Sequence, residues 1–205
     1  MKFKICGMRD SKNIKSISIL TPDYMGFIFW EVSSRYVDND TPRLPKHIKK
    51  TGVFVDASID YIENIIKEHQ LQAVQLHGNE TPEYCSLINR FGVEIIKAFS
   101  VQDNFNFSKL KFYENYCDFY LFDTKGELPG GNGYSFDWTI LKNYQSHKPF
   151  FLSGGIGLEN IKEIHNLLKT NLPIYAIDVN SKFESAPGLK KIDVLTQFKK
   201  ELYEL

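Results

Sequence analysis

Polar residues stand at the ends of several short apolar runs of this sequence, and their types suit proton transfer and anion binding. They are Cys6-Gly7, Ser33-Ser34-Arg35, Gln75-Leu76-His77-Gly78, Asp123-Thr124-Lys125, Ser153-Gly154-Gly155-Ile156 and Asp178-Val179-Asn180-Ser181. A thiol and a carboxyl group form a pair suited to acid–base chemistry at a sugar carbon, since one group takes a proton and the other gives one. A free thiol titrates near pH ~8.5, so a modest favourable field makes a useful thiolate.

The glycines of the later motifs suit the binding of a phosphate group. Glycine lets the backbone approach an oxyanion closely, and the amide N–H groups at a helix N-terminus bind phosphate. Gly154 and Gly155 precede a predicted helix, as such a site requires. The pattern indicates a phosphate but does not specify a reaction.

Each of these residues also has a purely structural interpretation. A cysteine at a strand end is more often a small buried hydrophobic residue than a catalyst. A lone histidine such as His77 is more often a hydrogen-bonded structural residue. A strand-terminal aspartate is often the N-cap of the next helix, as we interpret Asp10, and Gly154-Gly155 alone could form only a tight turn. The functional interpretation therefore requires a fold that brings these positions together.

The pattern of apolar residues predicts such a fold. Eight mostly continuous apolar runs predict strands, and such runs are typical of a parallel sheet that is buried on both faces. The predicted strands are 3–6, 25–30, 52–55, 73–77, 94–98, 119–123, 150–153 and 175–179. Amphipathic stretches between them predict helices at 59–69, 82–91, 158–168 and 192–202, whereas 105–116 has weak periodicity.

Eight strand–helix units predict an α/β protein with a single (β/α)8 barrel, the TIM barrel, over residues 1–205. Such barrels usually have ~250 residues, with ~200 as the lower limit, so this one would be compact. An open doubly wound sheet would use only five or six units. Active sites of these barrels lie at the C-terminal ends of the strands, so the polar residues described above are expected to meet at one rim.

The overall composition argues against several classes of function. The 25 basic and 25 acidic side chains balance, which gives no electrostatic argument for nucleic acid or for an anionic membrane as a partner. The three cysteines, Cys6, Cys85 and Cys117, form neither a disulfide framework nor a metal-binding pattern. Neither a signal peptide nor a run long enough to span a bilayer is visible, which predicts a cytoplasmic protein.

Taken in order, the motifs resemble those of the phosphoribosylanthranilate isomerase family over nearly the whole chain. They are Lys4-Ile5-Cys6-Gly7, Gly26-Phe27-Ile28-Phe29 with Ser34-Arg35, Gly52-Val53-Phe54-Val55, Gln75-Leu76-His77-Gly78, Asp123-Thr124-Lys125, Gly130-Gly131-Asn132-Gly133 with Phe136-Asp137-Trp138, Leu152-Ser153-Gly154-Gly155, and Asp178-Val179-Asn180-Ser181 with Pro187-Gly188. Many phosphate-binding barrels share the double glycine. The Cys-Gly start, the Gln-Leu-His-Gly strand and the Phe-Asp-Trp segment together are much more specific.

The resemblance implies an Amadori rearrangement in tryptophan biosynthesis, from N-(5-phosphoribosyl)anthranilate to 1-(2-carboxyphenylamino)-1-deoxyribulose 5-phosphate. It implies that Asp123 is the general acid that protonates the ring oxygen, and that Cys6 is the general base that removes the proton from C2 of the resulting Schiff base. Arg35 would bind the anthranilate carboxylate, for which a planar charged fork is well suited. His77 and Asp178 would line the same pocket.

The resemblance also implies where the phosphate binds and which partners are needed. The phosphate would bind Gly154, Gly155 and the loop around Asn180 and Ser181. No metal or organic cofactor is expected, because the chemistry is proton transfer only. The one expected ligand is a phosphorylated small molecule, with neither nucleic acid nor membrane as a partner, and the chain is expected to be a monomer or a homodimer.

Some positions depart from the family pattern or raise a question about charge. Lys182 stands where the family has glycine, so it would either strain the loop, if φ is positive there, or add a contact to the phosphate. Asn132 replaces a usual Thr or Ser in the segment 130–133, which we expect to cover the substrate as a mobile loop. Lys4 and Lys97 are both expected to point into the barrel, with Gln75 and an unidentified carboxylate as partners.

Two alternatives stay open on the sequence alone. One is a different phosphosugar barrel enzyme, such as the isomerase of the histidine pathway or indole-glycerol phosphate synthase. The histidine-pathway enzyme uses two aspartates at its rim, whereas this chain has Cys6 and Asp123. The other alternative is a non-catalytic barrel that only binds phosphorylated ligands or a partner protein, and such a relative would be expected to have lost Cys6 or Asp123.

Overall fold

The computed structural model describes residues 1–124 and 136–204, which form a closed barrel of eight parallel strands. Each strand pairs with the next along the chain, and the last strand pairs with the first. The strands are β1 (Lys2–Ile5), β2 (Tyr24–Ile28), β3 (Lys49–Phe54), β4 (Ala73–Leu76), β5 (Glu94–Val101), β6 (Phe119–Thr124), β7 (Phe150–Leu152) and β8 (Ile174–Val179). The predicted (β/α)8 barrel is confirmed.

Five α-helices accompany the strands in the described part of the chain. They are α1 (Ser11–Ser18), α2 (Ile59–His69), α3 (Pro82–Asn89), α4 (Ile161–Leu168) and α5 (Ile192–Tyr203). Polar N-caps fix several of their starts, because a side-chain oxygen satisfies a free amide of the first turn. Asp10 accepts from the Asn13 amide at 2.7 Å, as interpreted from the sequence, and Thr81 caps α3 immediately before Pro82. None of the helices in the described ranges is long and apolar enough to cross a membrane.

The connections are less regular than eight strand–helix units would require. Between β2 and β3, residues 29–48 contain no helix, so that part of the prediction is wrong. Pro42 and Pro45 lie in this stretch, and proline cannot donate the backbone hydrogen bonds that a helix interior needs. After β5 and β6, the structure has the 3₁₀ helices Phe107–Tyr113 and Trp138–Asn143, which explains the weak helical periodicity of 105–116.

The side chains of the strands alternate between two layers, since successive residues of a strand point to opposite faces. A small interior cluster fills the barrel, and a larger cluster packs the outer face of the strands against the helices. The interior cluster consists of Tyr24, Ala73, Ile96, Ala98, Leu121, Phe151 and Ala176. The next inward positions along β4, β6 and β8 are Gln75, Asp123 and Asp178, so the interior changes from apolar to polar toward the C-terminal ends of the strands.

Lys4 and Lys97, two of the buried lysines, lie on opposite faces of the barrel wall. Lys4 points into the barrel as expected, and its ammonium donates to Asp178 Oδ1 at 3.0 Å. The expectation that Lys97 also points inward is wrong, because its neighbours Ile96 and Ala98 occupy the interior positions of β5. Lys97 instead donates to Glu80 Oε2 at 2.8 Å in the outer layer and to three backbone carbonyl groups.

Removing one partner of the buried Glu80–Lys97 pair should strongly destabilise the barrel. Glu80→Ala leaves a buried ammonium without its anion, so we expect the free energy of unfolding in urea to fall by about 3–5 kcal/mol. As a control, Glu63→Ala removes a carboxylate that pairs with Lys67 on the exposed face of α2, and it should change stability little. Similar losses for the two variants would contradict this account.

Candidate active site

A pocket opens at the C-terminal end of the barrel, where the polar strand ends meet. All nine residues proposed from the sequence line it: Cys6, Arg35, His77, Asp123, Gly154, Gly155, Asp178, Asn180 and Ser181. They come from the ends of β1, β4, β6 and β8 and from the loops after β2, β7 and β8. The structure therefore brings together residues that are far apart in the sequence, as the barrel prediction requires.

Cys6 directly follows β1 and is almost fully buried. Its amide donates to the carbonyl of Val179 at 2.9 Å, which continues the pairing of β1 with β8 to the pocket floor. Gly26 of β2 gives the thiol room, because a Cβ atom at that position would lie 2.7 Å from Cys6 Sγ. Burial raises the pKa of the Cys6 thiol, although the nearby ammonium groups of Lys4 and Lys190 oppose the rise.

A buried ion pair lies directly beneath Cys6. Lys4 and Asp178 are paired at 3.0 Å, and Ser153 Oγ donates to the second carboxylate oxygen of Asp178 at 3.3 Å. Burial raises the pKa of Asp178 despite the attraction of Lys4. Burial alone would lower the pKa of Lys4, but Asp178 and Cys6 outweigh it and the pKa of Lys4 is raised. Lys4 therefore stays a cation below the thiol.

Asp123 lies on β6 beside a histidine that is held in a fixed orientation. The Thr124 amide donates to Asp123 Oδ1 at 2.9 Å. His77 Nε2 lies 3.2 Å from Asp123 Oδ2, although its N–H is not aligned for a hydrogen bond. The amide nitrogen of Gln75 lies 2.7 Å from His77 Nδ1 and can only donate, which places the proton of a neutral ring on Nε2, toward Asp123.

Arg35 is part of a charged cluster that the sequence motifs did not reveal. Its guanidinium donates twice at 3.0 Å from Nε and once at 2.7 Å from Nη2 to the carboxylate of Glu184. Lys190 donates to the same carboxylate at 2.5 Å. Burial lowers the pKa of Lys190 to about 8, although Glu184 favours the charged form. The signal in the sequence that could have found it is the Pro187-Gly188 turn, which makes the residues on its two sides cross-strand neighbours.

The loop after β8 tolerates Lys182 without backbone strain. Lys182 lies in the 3₁₀ helix Ser181–Phe183 and does not have a positive φ, so the condition for backbone strain, one of the two alternatives, is not met. Its ammonium lies 2.9 Å from a carboxylate oxygen of Glu159, which belongs to the loop after β7. This surface ion pair links the two loops that were expected to bind phosphate, and a direct contact of Lys182 with phosphate stays a prediction.

Gly154 and Gly155 have backbone conformations that favour glycine. Their φ angles are +90° and +62°, a region that other residues rarely adopt. A Cβ atom on Gly154 would also lie 2.6 Å from the backbone nitrogen of Thr124, next to Asp123. The expected covering loop at 130–133 lies outside the described residues. Within the described ranges, no three His, Cys, Asp or Glu residues are grouped to hold a metal ion.

A known enzyme family matches the chain over nearly its whole length. The family model of N-(5'-phosphoribosyl)anthranilate (PRA) isomerase matches residues 3–201 of the chain. The chain belongs to this family. Family membership makes it an isomerase of tryptophan biosynthesis and decides against the other phosphosugar barrel enzymes and the non-catalytic barrel.

Individual relatives agree with this assignment over almost their whole length. The N-(5'-phosphoribosyl)anthranilate isomerase of Parabacteroides distasonis is 42% identical, with 97% of this chain and 91% of that protein covered. The enzyme of the same name from Campylobacter jejuni is 38% identical, with 98% of each covered. The crystal structure of phosphoribosyl anthranilate isomerase from Thermus thermophilus is 27% identical and superposes with a TM-score of 0.87 over 98% of both chains.

A further crystal structure of a relative contains a bound ligand. That phosphoribosyl anthranilate isomerase is in complex with reduced 1-(o-carboxyphenylamino)-1-deoxyribulose 5-phosphate. It is 28% identical to this chain and has a TM-score of 0.82 over 100% of both chains.

Gly154→Ala tests whether the close contact between the loop after β7 and Asp123-Thr124 matters for the pocket. We expect kcat/KM to fall by about tenfold or more, because the added methyl group displaces the backbone next to Asp123. Gly92→Ala is the matched control, since Gly92 has a similar φ of +67° but no atom within 4 Å of the added Cβ. Both variants should lose about 1–2 kcal/mol of stability to backbone strain, but only Gly154→Ala should lose activity. Full activity in Gly154→Ala would contradict the close contact.

Proposed function

We propose that the protein converts N-(5-phosphoribosyl)anthranilate to 1-(2-carboxyphenylamino)-1-deoxyribulose 5-phosphate, with Asp123 as general acid and Cys6 as general base. The observation that carries this proposal is that a thiol and a carboxyl group line one pocket from the ends of different strands, β1 and β6. The relative that binds the reduced form of this product supports the choice of substrate. We propose that residues 1–205 act as one catalytic domain.

The first step opens the ribose ring. Asp123 donates a proton to the ring oxygen while the bond between that oxygen and C1 breaks, and the lone pair of the anthranilate nitrogen forms the C=N bond of a Schiff base. Asp123 lies on the pocket wall with one carboxylate oxygen near His77 Nε2. The Thr124 amide, which donates to Asp123 Oδ1, stabilises the carboxylate that remains after the proton has left, because a charged acceptor strengthens a hydrogen bond.

The second step moves a proton from carbon to sulfur. The Cys6 thiolate removes the proton from C2, and the electron pair of that C–H bond forms a C1–C2 double bond while the C=N electrons return to nitrogen. The resulting enolamine becomes the ketone when the hydroxyl proton at C2 is lost and C1 gains a proton. Every step transfers protons within the substrate and the two side chains, so the sequence of steps has no need of a redox cofactor.

In the productive state the two catalytic groups hold one proton between them: Asp123 is protonated and Cys6 is a thiolate. A thiolate with a protonated carboxyl group contains the same number of protons as a thiol with a carboxylate, so the pair reaches the productive state by redistribution. Burial raises the pKa of Cys6 and disfavours the thiolate. Lys4 and Lys190 offset part of that cost, because both ammonium groups attract the negative sulfur.

The two anionic groups of the substrate are proposed to bind at different sides of the pocket. Arg35 binds the anthranilate carboxylate, since the Nη1–Nη2 edge of its guanidinium is not used by Glu184. The phosphate binds the backbone of Gly154 and Gly155 and the loop at Asn180 and Ser181. Asp178 lines the pocket floor and keeps Lys4 in place below Cys6.

Cys6→Ala and Asp123→Asn each test one of the two assigned roles. The substrate is generated in situ, and its loss is followed by fluorescence in the presence of the purified protein. Each variant should lower kcat by about 10²–10⁴-fold or more, because general acid and base catalysis contribute that much. Cys85→Ala is the control, since Cys85 lies in α3 outside the pocket. An equal loss in all three variants, or full activity in Cys6→Ala, would contradict the assigned roles.

A further inference from the structure

A two-stranded hairpin follows β8 and contacts two of the residues that line the pocket, Arg35 and Asn180. Its strands are β9 (Glu184–Ala186) and β10 (Leu189–Lys190), which pair in antiparallel orientation with Lys190 opposite Glu184. The turn contains Gly188 with a φ of +81°, and the Gly188 amide donates to Glu184 Oε1 at 3.1 Å. The hairpin therefore places the Glu184 carboxylate and the Lys190 ammonium group side by side, away from solvent.

Glu184 fixes the plane of the Arg35 guanidinium. Both carboxylate oxygens accept from Nε at 3.0 Å, and Oε2 accepts from Nη2 at 2.7 Å. This arrangement uses the edge of the guanidinium that contains Nε. Within the described part of the chain, Nη1 makes no hydrogen bond, so the edge formed by Nη1 and Nη2 is the one that remains for a second carboxylate.

Lys190 connects Glu184 to Asn180, at the start of the loop after β8. Its side chain is fully buried, and its ammonium donates to Glu184 Oε1 at 2.5 Å and to Asn180 Oδ1 at 2.6 Å. A longer contact of 3.3 Å reaches the carbonyl oxygen of Asn180. An ammonium group has three donors, and these three acceptors use them all. Lys190 therefore acts through its neighbours and not by direct contact with a ligand.

The charges of this cluster also require Lys190. Glu184 by itself would neutralise Arg35 and remove most of its attraction for a ligand carboxylate. With Lys190 present, the cluster contains two cations and one anion and keeps a net positive charge. Burial alone would raise the pKa of Glu184, but the hydrogen bonds and charges of Arg35 and Lys190 outweigh burial and hold the pKa of this carboxyl group below its usual value.

We propose that Lys190 is a positioning residue that fixes both anion-binding sides of the pocket at once. Through Glu184 it orients Arg35 for the substrate carboxylate, and through Asn180 it fixes the start of the loop that binds the phosphate. This inference rests on the proposed function, because it assigns these two groups of the substrate to the two sides.

The test uses three ligands and isothermal titration calorimetry. The first is the reduced product analogue, the second is its phenyl counterpart without the carboxylate, and the third is its counterpart without the phosphate. Glu184→Gln should weaken binding of the two ligands that contain the carboxylate, the analogue and its counterpart without the phosphate, by about 10–100-fold. It should change binding of the phenyl counterpart by less than about threefold. Lys190→Met should weaken binding of all three ligands by about tenfold or more.

A matched pair of the same residue types provides the control. Lys49 and Glu94 form an ion pair at the N-terminal end of the barrel, far from the pocket-lining residues. Lys49→Met and Glu94→Gln should leave the affinity for all three ligands at the wild-type value. General damage from the loss of a charge would reduce affinity in both pairs.

The outcomes separate this inference from the proposed function. Wild-type affinity of Lys190→Met for all three ligands would overturn the inference, as would an equal loss of the analogue and its phenyl counterpart in Glu184→Gln. If a single variant does not fold, the double variant Glu184→Gln/Lys190→Met removes one charge of each sign, and its wild-type affinity would also overturn the inference. A wild-type protein that neither binds the analogue nor turns over the substrate would instead refute the proposed function.

Discussion

The buried ion pair between Lys4 and Asp178 is the interaction on which the pocket depends. It joins β1 to β8 inside the barrel, just where the interior changes from apolar to polar. Without Asp178 the ammonium of Lys4 would lack a partner, and without Lys4 the Cys6 thiol would lose the largest favourable charge in its surroundings. The pair therefore links the stability of the barrel closure to the chemistry proposed for Cys6.

The rest of the pocket has an acidic group, Asp123, on one wall and a cation, Arg35, on another. His77 and Gln75 accompany Asp123 on one wall, whereas Glu184 and Lys190 accompany Arg35 on another. Gln75 fixes the orientation of His77, and Glu184 fixes that of Arg35, which reduces the reorganisation needed when a substrate binds. The pocket thus depends on buried partners as much as on the residues that line it.

Much of the fold was predictable because it follows from local patterns. All eight predicted strands are confirmed, since continuous apolar runs indicate buried parallel strands. The direction of Lys97 was not predictable from its charge, and only the positions of Ile96 and Ala98 in the interior decide it. Glu184 and Lys190 were missed because their pairing depends on the register of a short hairpin. The roles assigned to the pocket residues stay predictions.

The most direct test of this account is the titration of Cys6 in a protein whose other two cysteines are replaced by alanine. Thiolate absorbance at 240 nm is followed against pH for this protein and for its Lys4→Met variant. Lys4 lowers the pKa of Cys6 more than Asp178 raises it, so Lys4→Met should shift the titration to higher pH even if Asp178 becomes protonated. The control Lys2→Met, on the same strand but exposed, should cause no shift. A titration that is unchanged, or moved to lower pH, in Lys4→Met would contradict the account.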